Sequence, residues 1–310
     1  MLSIVPKSPF EAVVFSSSLK DDFWHEQCDP KSYELWYFDA LSDDGKELIT
    51  ITFLDNFVFS SNYNQLESAT DSNIEASECP RYPAVSFSYF SNGELICRSV
   101  TEHTKSEFEG SRTMPDCRIG TSFFKHQTAE YGSGFTVSID APLAKQRRVE
   151  AHFEWLSVES DLLRESGPLD KQHHFWNVVV PRADVTGRIT IFEKDGTVTD
   201  VRHFRGTGYH DHRLDNRWLA DTVADLYWGR AHFADATAVF CHYRESGDGS
   251  STNKLLVIRN GELSIRDCEY RQKAPTRDIH GLKYPGLITL RSDDGLTLNV
   301  RPTEVVYATF

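Results

Sequence analysis

Arg205-Gly206-Thr207-Gly208-Tyr209-His210-Asp211-His212 is the part of the chain richest in groups that could do chemistry. Two glycines mark a strained or closely packed approach, and four functional side chains follow. Along a β-strand successive side chains alternate between faces, so Tyr209 and Asp211 would share one face and His210 and His212 the other. The Tyr/Asp face suits proton donation. A carboxyl group in an apolar pocket resists ionisation, because desolvation disfavours the anion, and it then keeps a proton to deliver near neutral pH. The His-x-His face could ligate a metal, with His203 or His232 as a third ligand. No Glu-x-x-His pair and no matching Cys ligand accompanies it, so no metal is expected. The structural alternative for the stretch is a satisfied polar network within a sheet.

Glu34-Leu35-Trp36-Tyr37-Phe38-Asp39 is the second concentration. Three aromatic residues in a row place ring surface on both faces of a strand, one for a core and one free to line a pocket. Ring faces attract positive charge and can stabilise a developing carbocation. A core strand with a buried acid bonded to backbone is the competing reading. A third cluster, His173-His174-Phe175-Trp176-Asn177, lies where two domains would meet, a common place for ligands. The candidate catalytic residues are Tyr209, His210, Asp211 and His212. The candidate substrate-binding residues are Glu34, Trp36, Tyr37, Asp39, His174, Trp176, Asn177 and Trp228. The sequence has no G-x-G-x-x-G, no Walker loop and no G-x-S-x-G. No cofactor is therefore expected, and an enzyme built this way works with acids, bases and shape.

The elements that must carry these residues are antiparallel strands. Six Asp-Gly or Asn-Gly pairs punctuate the chain, at 44–45, 92–93, 195–196, 248–249, 260–261 and 294–295. Such residues accept the positive φ of tight hairpin turns. Period-two segments flank them: Ile49, Ile51 and Phe53 on one face, Val85 to Tyr89, Leu256-Val257-Ile258 opposite Leu263-Ser264-Ile265, and Leu296 to Val300. Pro142 to Trp155 reads as a strand rather than a helix, because Arg147 to Phe153 at period two puts Val149, Ala151 and Phe153 together, and Asp215 to Tyr227 reads as a short helix. The polar stretches Glu67–Pro83 and Ser157–Gln172 read as a long excursion and a domain junction. The expectation is an all-β protein with few short helices, divided into residues 1–172 and 173–310. A faint echo between Glu34–Ala40 and Tyr227–Ala231 is consistent with two related β domains.

The bulk numbers narrow the partners. A chain of 310 residues suits two domains, and its net charge of −13 repels phosphate backbones and anionic headgroups. Nucleic acid is not an expected partner, nor is stable membrane insertion; a hydrophobic small molecule is, with the protein a monomer or homodimer. The N-terminal residues lack a basic segment followed by an apolar one, so a cytoplasmic location is expected. Six widely spaced cysteines without a C-x-x-C pair read as reduced, mostly buried thiols.

Tyr33 to Ala40, His174 to Val178 with Pro181-Arg182, and Gly206 to Asp211 followed by Trp228-Gly229-Arg230-Ala231 together resemble the carotenoid 1,2-hydratase (hydroxyneurosporene synthase) and AttH-like family. Fungal lipocalin-like Diels–Alderases resemble it too. The resemblance implies two lipocalin-like antiparallel β-barrel domains packed together, with a pocket at or between them. One departure is His212-Arg213-Leu214, where the family pattern often continues Asn-Trp-Gly. The resulting expectation is a cofactor-independent hydratase or cyclase of secondary metabolism, acting on a terpenoid or polyene. Asp211 would protonate a C=C bond, Tyr209, Trp36 and Tyr37 would shield the cation, and His210 or His212 would orient water. A pericyclase that gains from proximity is the second expectation, and a lipid or pigment carrier the third.

Overall fold

The computed structural model describes residues 12–27, 29–66, 79–130, 132–162, 174–247, 251–277 and 283–302. It is built almost entirely of strands. β1 (Val13–Ser16), β2 (Tyr33–Ser42) and β3 (Glu47–Leu54) precede a single-turn helix, α1 (Ser61–Gln65). β4 (Ala84–Ser91), β5 (Glu94–Glu102), β6 (Phe108–Gly110), β7 (Asp116–Ile119), β8 (Ser122–Ala129), β9 (Gly132–Pro142) and β10 (Arg148–Glu159) follow. Two long strands, β11 (His174–Phe192) and β12 (Val198–Asp215), lead to a second single turn, α2 (Leu219–Thr222). The chain continues with β13 (Val223–His232), β14 (Thr237–Glu245), β15 (Ser251–Arg259), β16 (Glu262–Arg277), β17 (Lys283–Ser292) and β18 (Thr297–Val300).

The turn chemistry accounts for the hairpins. At 92–93 and 260–261 both residues have positive φ, 51° and 79°, then 53° and 75°, as a two-residue turn of matching twist requires. Gly45, Gly196 and Gly295 supply single positive-φ positions in three further hairpins. The pair at 248–249 lies outside the described residues, as do Cys28, His173 and most of the two polar stretches. The expected helix over 215–227 shortens to four residues, because Val223 onward pairs with β14 as a strand.

The strands form two sheets. The first runs β5-β4-β3-β2-β12-β11-β10-β9-β8-β7-β6, with β1 added parallel to β11. It curls until Ser99 Oγ, on β5, donates to the Pro142 carbonyl at the end of β9, 2.7 Å away. Inside the curl lies the main core, with Trp36, Phe38, Phe53, Phe87, Phe124, Phe135, Phe153 and Trp155 at its centre. Full burial of such side chains contributes about 1.5–3 kcal/mol each relative to exposure. The second sheet is the meander β13 to β18. A division at residue 172 would separate β11 and β12 from the sheet they complete; the chain passes from one sheet to the other between Asp215 and Val223. Cys79, Cys97, Cys117, Cys241 and Cys268 are all buried.

β12 sits in the middle of the first sheet, between β2 and β11. Its two glycines answer to close packing. A Cβ at Gly206 would lie 2.1 Å from the Leu41 carbonyl oxygen, and one at Gly208 2.4 Å from Trp155 Nε1. On β11 the register slips between Asn177 and Val180 and again between Val180 and Ala183. Pro181, which has no N–H for the ladder, falls in that irregular stretch.

Candidate functional site at the seam between two sheets

Pairing sets the address of each candidate. On β12 and β2, Tyr209 lies opposite Asp39, His210 opposite Phe38, Asp211 opposite Tyr37, and His212 opposite Trp36. Period two then divides the set. His210, His212, Glu34 and Trp36 turn into the first sheet's curl, while Tyr209, Asp211, Tyr37 and Asp39 turn towards the second sheet. The predicted residues therefore belong to two sites, one on each side of a single strand layer.

The interior site is a buried ionic network. Glu34 Oε1 accepts from His212 Nε2 at 2.6 Å and His25 Nδ1 at 2.9 Å, and the His25 backbone N–H also donates to this carboxylate. The other nitrogen of His212, Nδ1, faces the Asp21 carbonyl at 3.1 Å. With acceptors at both ring nitrogens, His212 satisfies its surroundings as the doubly protonated cation. Burial opposes that charge, but the Glu34 carboxylate outweighs it and the pKa of His212 is raised. Burial likewise penalises the Glu34 anion, and the His212 and His25 donors more than offset it, so the pKa of Glu34 is lowered. His210 stacks on Phe38 with centroids 3.9 Å apart and bonds Asp22 Oδ2 at 3.1 Å and the Tyr37 carbonyl at 3.0 Å. Trp36 stacks on His212 at 4.8 Å.

His25, Glu34 and His212 offer three ligand atoms within 4.8 Å of one another. A two-His, one-carboxylate set is suitable for zinc or iron. The 2.6 and 2.9 Å separations, however, are hydrogen-bond lengths. Two ligands on tetrahedral zinc stand about 3.3 Å apart, from Zn–N bonds near 2.0 Å, so this set would have to open to admit an ion. The third ligands considered from sequence lie elsewhere. His203 is exposed, and His232 bonds Thr237 and Arg230 on β13.

The seam site centres on Asp211, which is fully buried. Its Oδ2 accepts from Tyr209 OH at 2.9 Å, Trp176 Nε1 at 3.0 Å and Arg213 NH2 at 2.6 Å, and its Oδ1 accepts from Arg213 Nε at 3.1 Å. This differs from the expected acid in apolar surroundings. The difference lies in Arg213, two residues on and hence on the same face, which places a cation against the carboxylate. The guanidinium carbon stands 4.0 Å from the Trp176 ring centre and 4.4 Å from that of Trp228, so the cation lies against two indoles. Such contacts reach about 2 kcal/mol when desolvated. Trp228 also stacks on Tyr209 at 5.6 Å and meets the Tyr37 ring edge-on at 5.1 Å. Burial, followed by the neighbouring Asp211 carboxylate, raises the pKa of Tyr209 well above 10, so the phenol stays a donor.

Asp39 faces the seam through Arg230, whose Nε donates to Asp39 Oδ1 at 2.8 Å. The two echoing segments thus meet: Tyr37 and Asp39 touch Trp228 and Arg230 across the seam. Burial and the Arg230 and Arg182 cations lower the pKa of His232 to about 3. His174 belongs to a neighbouring cluster, 3.8 Å from Asp215 and stacked on Tyr243 at 5.4 Å. Asn177 ties the chain after β1 to β11, accepting from the Ser18 N–H and donating to the Ser18 carbonyl. Sequence reasoning missed Asp22, His25, Arg213 and Arg230. The i, i+2 relation to Asp211 signals Arg213, whereas nothing in the spacing of Asp22 and His25 links them to β12.

No protein-family model matches the chain. A curated relative, the hydroxyneurosporene dehydrogenase of Chlorobaculum tepidum, is 27% identical over 220 residues, covering 67% of this chain and 55% of the relative. The chain thus spans about half the length of that relative. An AttH-like protein of Nitrosomonas europaea superposes with a TM-score of 0.61 at 15% identity, over 99% of this chain and 88% of its own. CghA, also solved with Sch210972, gives 0.59 at 13% identity over 97% and 84%. Kievitone hydratase of Nectria haematococca gives 0.55 at 11% identity over 96% and 86%. These likenesses establish the all-β, lipocalin-like fold of two curled sheets. Among the described residues no helix is long and apolar enough to cross a membrane.

Proposed function

We propose that this chain is a cofactor-independent enzyme that adds water or an internal nucleophile across a C=C bond of a hydrophobic unsaturated metabolite, with Asp211 carrying the proton at the seam. The observation that carries the reading is one fully buried carboxyl group bonded by Tyr209 and Trp176, with the Trp228 ring beside them. A proton moved from Asp211 to carbon leaves a cation that faces π-surface and a carboxylate rather than bulk water. Water then attacks, and its surplus proton returns to the carboxylate, so one alkene and one water give one alcohol. An internal nucleophile in place of water gives a ring.

The resting bonds of Asp211 are those of an acceptor, and the acid form requires Arg213 to give up part of its fork. His210 and His212 lie on the far side of β12 from Asp211, so the attacking water is oriented by seam groups instead. The names of kievitone hydratase and of the carotenoid-type relative support hydration and an unsaturated substrate. The relative's name also speaks of a dehydrogenase, but the dinucleotide fingerprint is missing from this sequence, so only its substrate kind is carried over.

The test is turnover of acyclic isoprenoids, both hydrocarbon and oxygenated, in D2O. Addition places one deuterium on carbon, and Asp211→Asn lowers the rate by about 10²–10⁴-fold, the usual contribution of a general acid. Wild-type turnover by Asp211→Asn would overturn the assignment. A cyclised product without deuterium on carbon would favour the pericyclase reading.

A further inference from the structure

We infer that Arg213 selects the substrate by binding a carbonyl or carboxylate oxygen, so that the metabolite is an oxygenated unsaturated compound rather than a plain hydrocarbon; this rests on the seam being the reactive site. A guanidinium has five N–H donors in one plane. In Arg213 the Nε and NH2 edge is taken by Asp211. The guanidinium carbon also packs in the corner between Trp176 and Trp228, whose rings stand at 90° to each other. What remains is the NH1 corner, which makes no hydrogen bond to any described residue.

The side chain is only 7% exposed. A ligand seated against the indoles approaches NH1 edge-on, in the guanidinium plane. A hydrocarbon there strips the remaining water and leaves charged donors unmatched, which is costly. An oxygen acceptor converts the same contact into a charge-assisted hydrogen bond. The guanidinium is held by the carboxylate and packed against the two rings, so little side-chain freedom is lost on binding. The same guanidinium then holds the substrate oxygen on one edge and Asp211 on the other, which fixes the reacting carbons relative to the proton carrier.

The experiment uses three matched C15 probes, farnesoic acid, farnesal and farnesene, titrated against the full chain with tryptophan fluorescence as readout. Wild type is expected to bind the acid and the aldehyde at least tenfold tighter than the hydrocarbon. Arg213→Met is expected to erase that preference. Because this variant leaves Asp211 buried without its cation, the charge-balanced Asp211→Asn/Arg213→Met pair is measured beside it and is expected to show the same loss. Equal affinity of wild type for all three probes, or a preference that survives in the folded double variant, overturns the inference while the seam reading stands. Failure of wild type to bind any of the three overturns the seam as the pocket, and the inference with it.

Discussion

Replacing Glu34 with Gln separates the two sites that β12 divides. The substitution keeps size and shape but removes the anion that accepts from His212 Nε2 and His25 Nδ1. His212 is then a buried ring whose two acceptors have become one carbonyl and one amide, with its charge uncompensated. Breaking a buried pair from one side costs about 3–5 kcal/mol. For a unit the size of Val13–Asp215, the unfolding entropy is about 0.4 kcal/mol/K, so Tm should fall by roughly 7–12 °C.

The pH dependence is the stricter part of the prediction. Glu34 has a folded pKa lowered from 4.5, so its contribution is complete above that value and is lost as pH falls through the lower folded one. His212 has a folded pKa raised from 6.5, so its contribution is complete below that value and is lost as pH rises through the higher folded one. The gap between wild type and Glu34→Gln is therefore widest between pH 4.5 and 6.5 and narrows towards pH 9. Urea denaturation followed by tryptophan fluorescence at pH 6 and pH 9 measures both. A variant within about 1 kcal/mol of wild type at pH 6, or a gap that is flat with pH, would refute the ionic account of the interior network.

Gly208→Ala forces a methyl group against Trp155 and Val185 and is expected to cost about 1–3 kcal/mol by overpacking; chemical denaturation within 0.5 kcal/mol of wild type would contradict that packing. Burial, only partly countered by Arg81, raises the pKa of Asp55 to about 6, so ionising it costs the folded state more than the unfolded chain. Asp55→Asn, which keeps an acceptor for the Glu34 N–H, should raise Tm at pH 7.5 and not at pH 4; equal shifts at both pH values would count against it. Gly93→Ala places a side chain at φ 79° and should cost about 1–2 kcal/mol, whereas a neutral result would mean the turn re-forms differently.

Much of the fold was legible because hairpins are local. Asn92-Gly93 and Asn260-Gly261 state their turn geometry outright, and Leu256 to Ile258 pairs with Leu263 to Ile265 in the expected register. The sheet boundary was not legible, because the pairing of β12 with β2 joins segments about 170 residues apart and leaves no mark in local composition. The site was half legible for a related reason. Alternation showed that Tyr209 and Asp211 part from His210 and His212, but not that both faces of β12 are enclosed. Asp22 and His25 come from a loop without period, so only the tertiary fold brings them to His210 and His212.

One strand thus carries two chemistries, and their separation bears on which way the proton moves. A pair formed by His and Glu holds its charges over a wide pH range, so the curl offers a fixed framework rather than a proton source. On the other face, Asp211 accepts from Arg213, Tyr209 and Trp176, and every one of these bonds strengthens the carboxylate. In the proposed reaction the same group, by microscopic reversibility, returns as the base that takes the surplus proton of the added water. In the proposed complex Arg213 keeps its Nε and NH2 edge on Asp211 while NH1 meets the substrate oxygen, so one packed group aligns the ligand with the proton carrier.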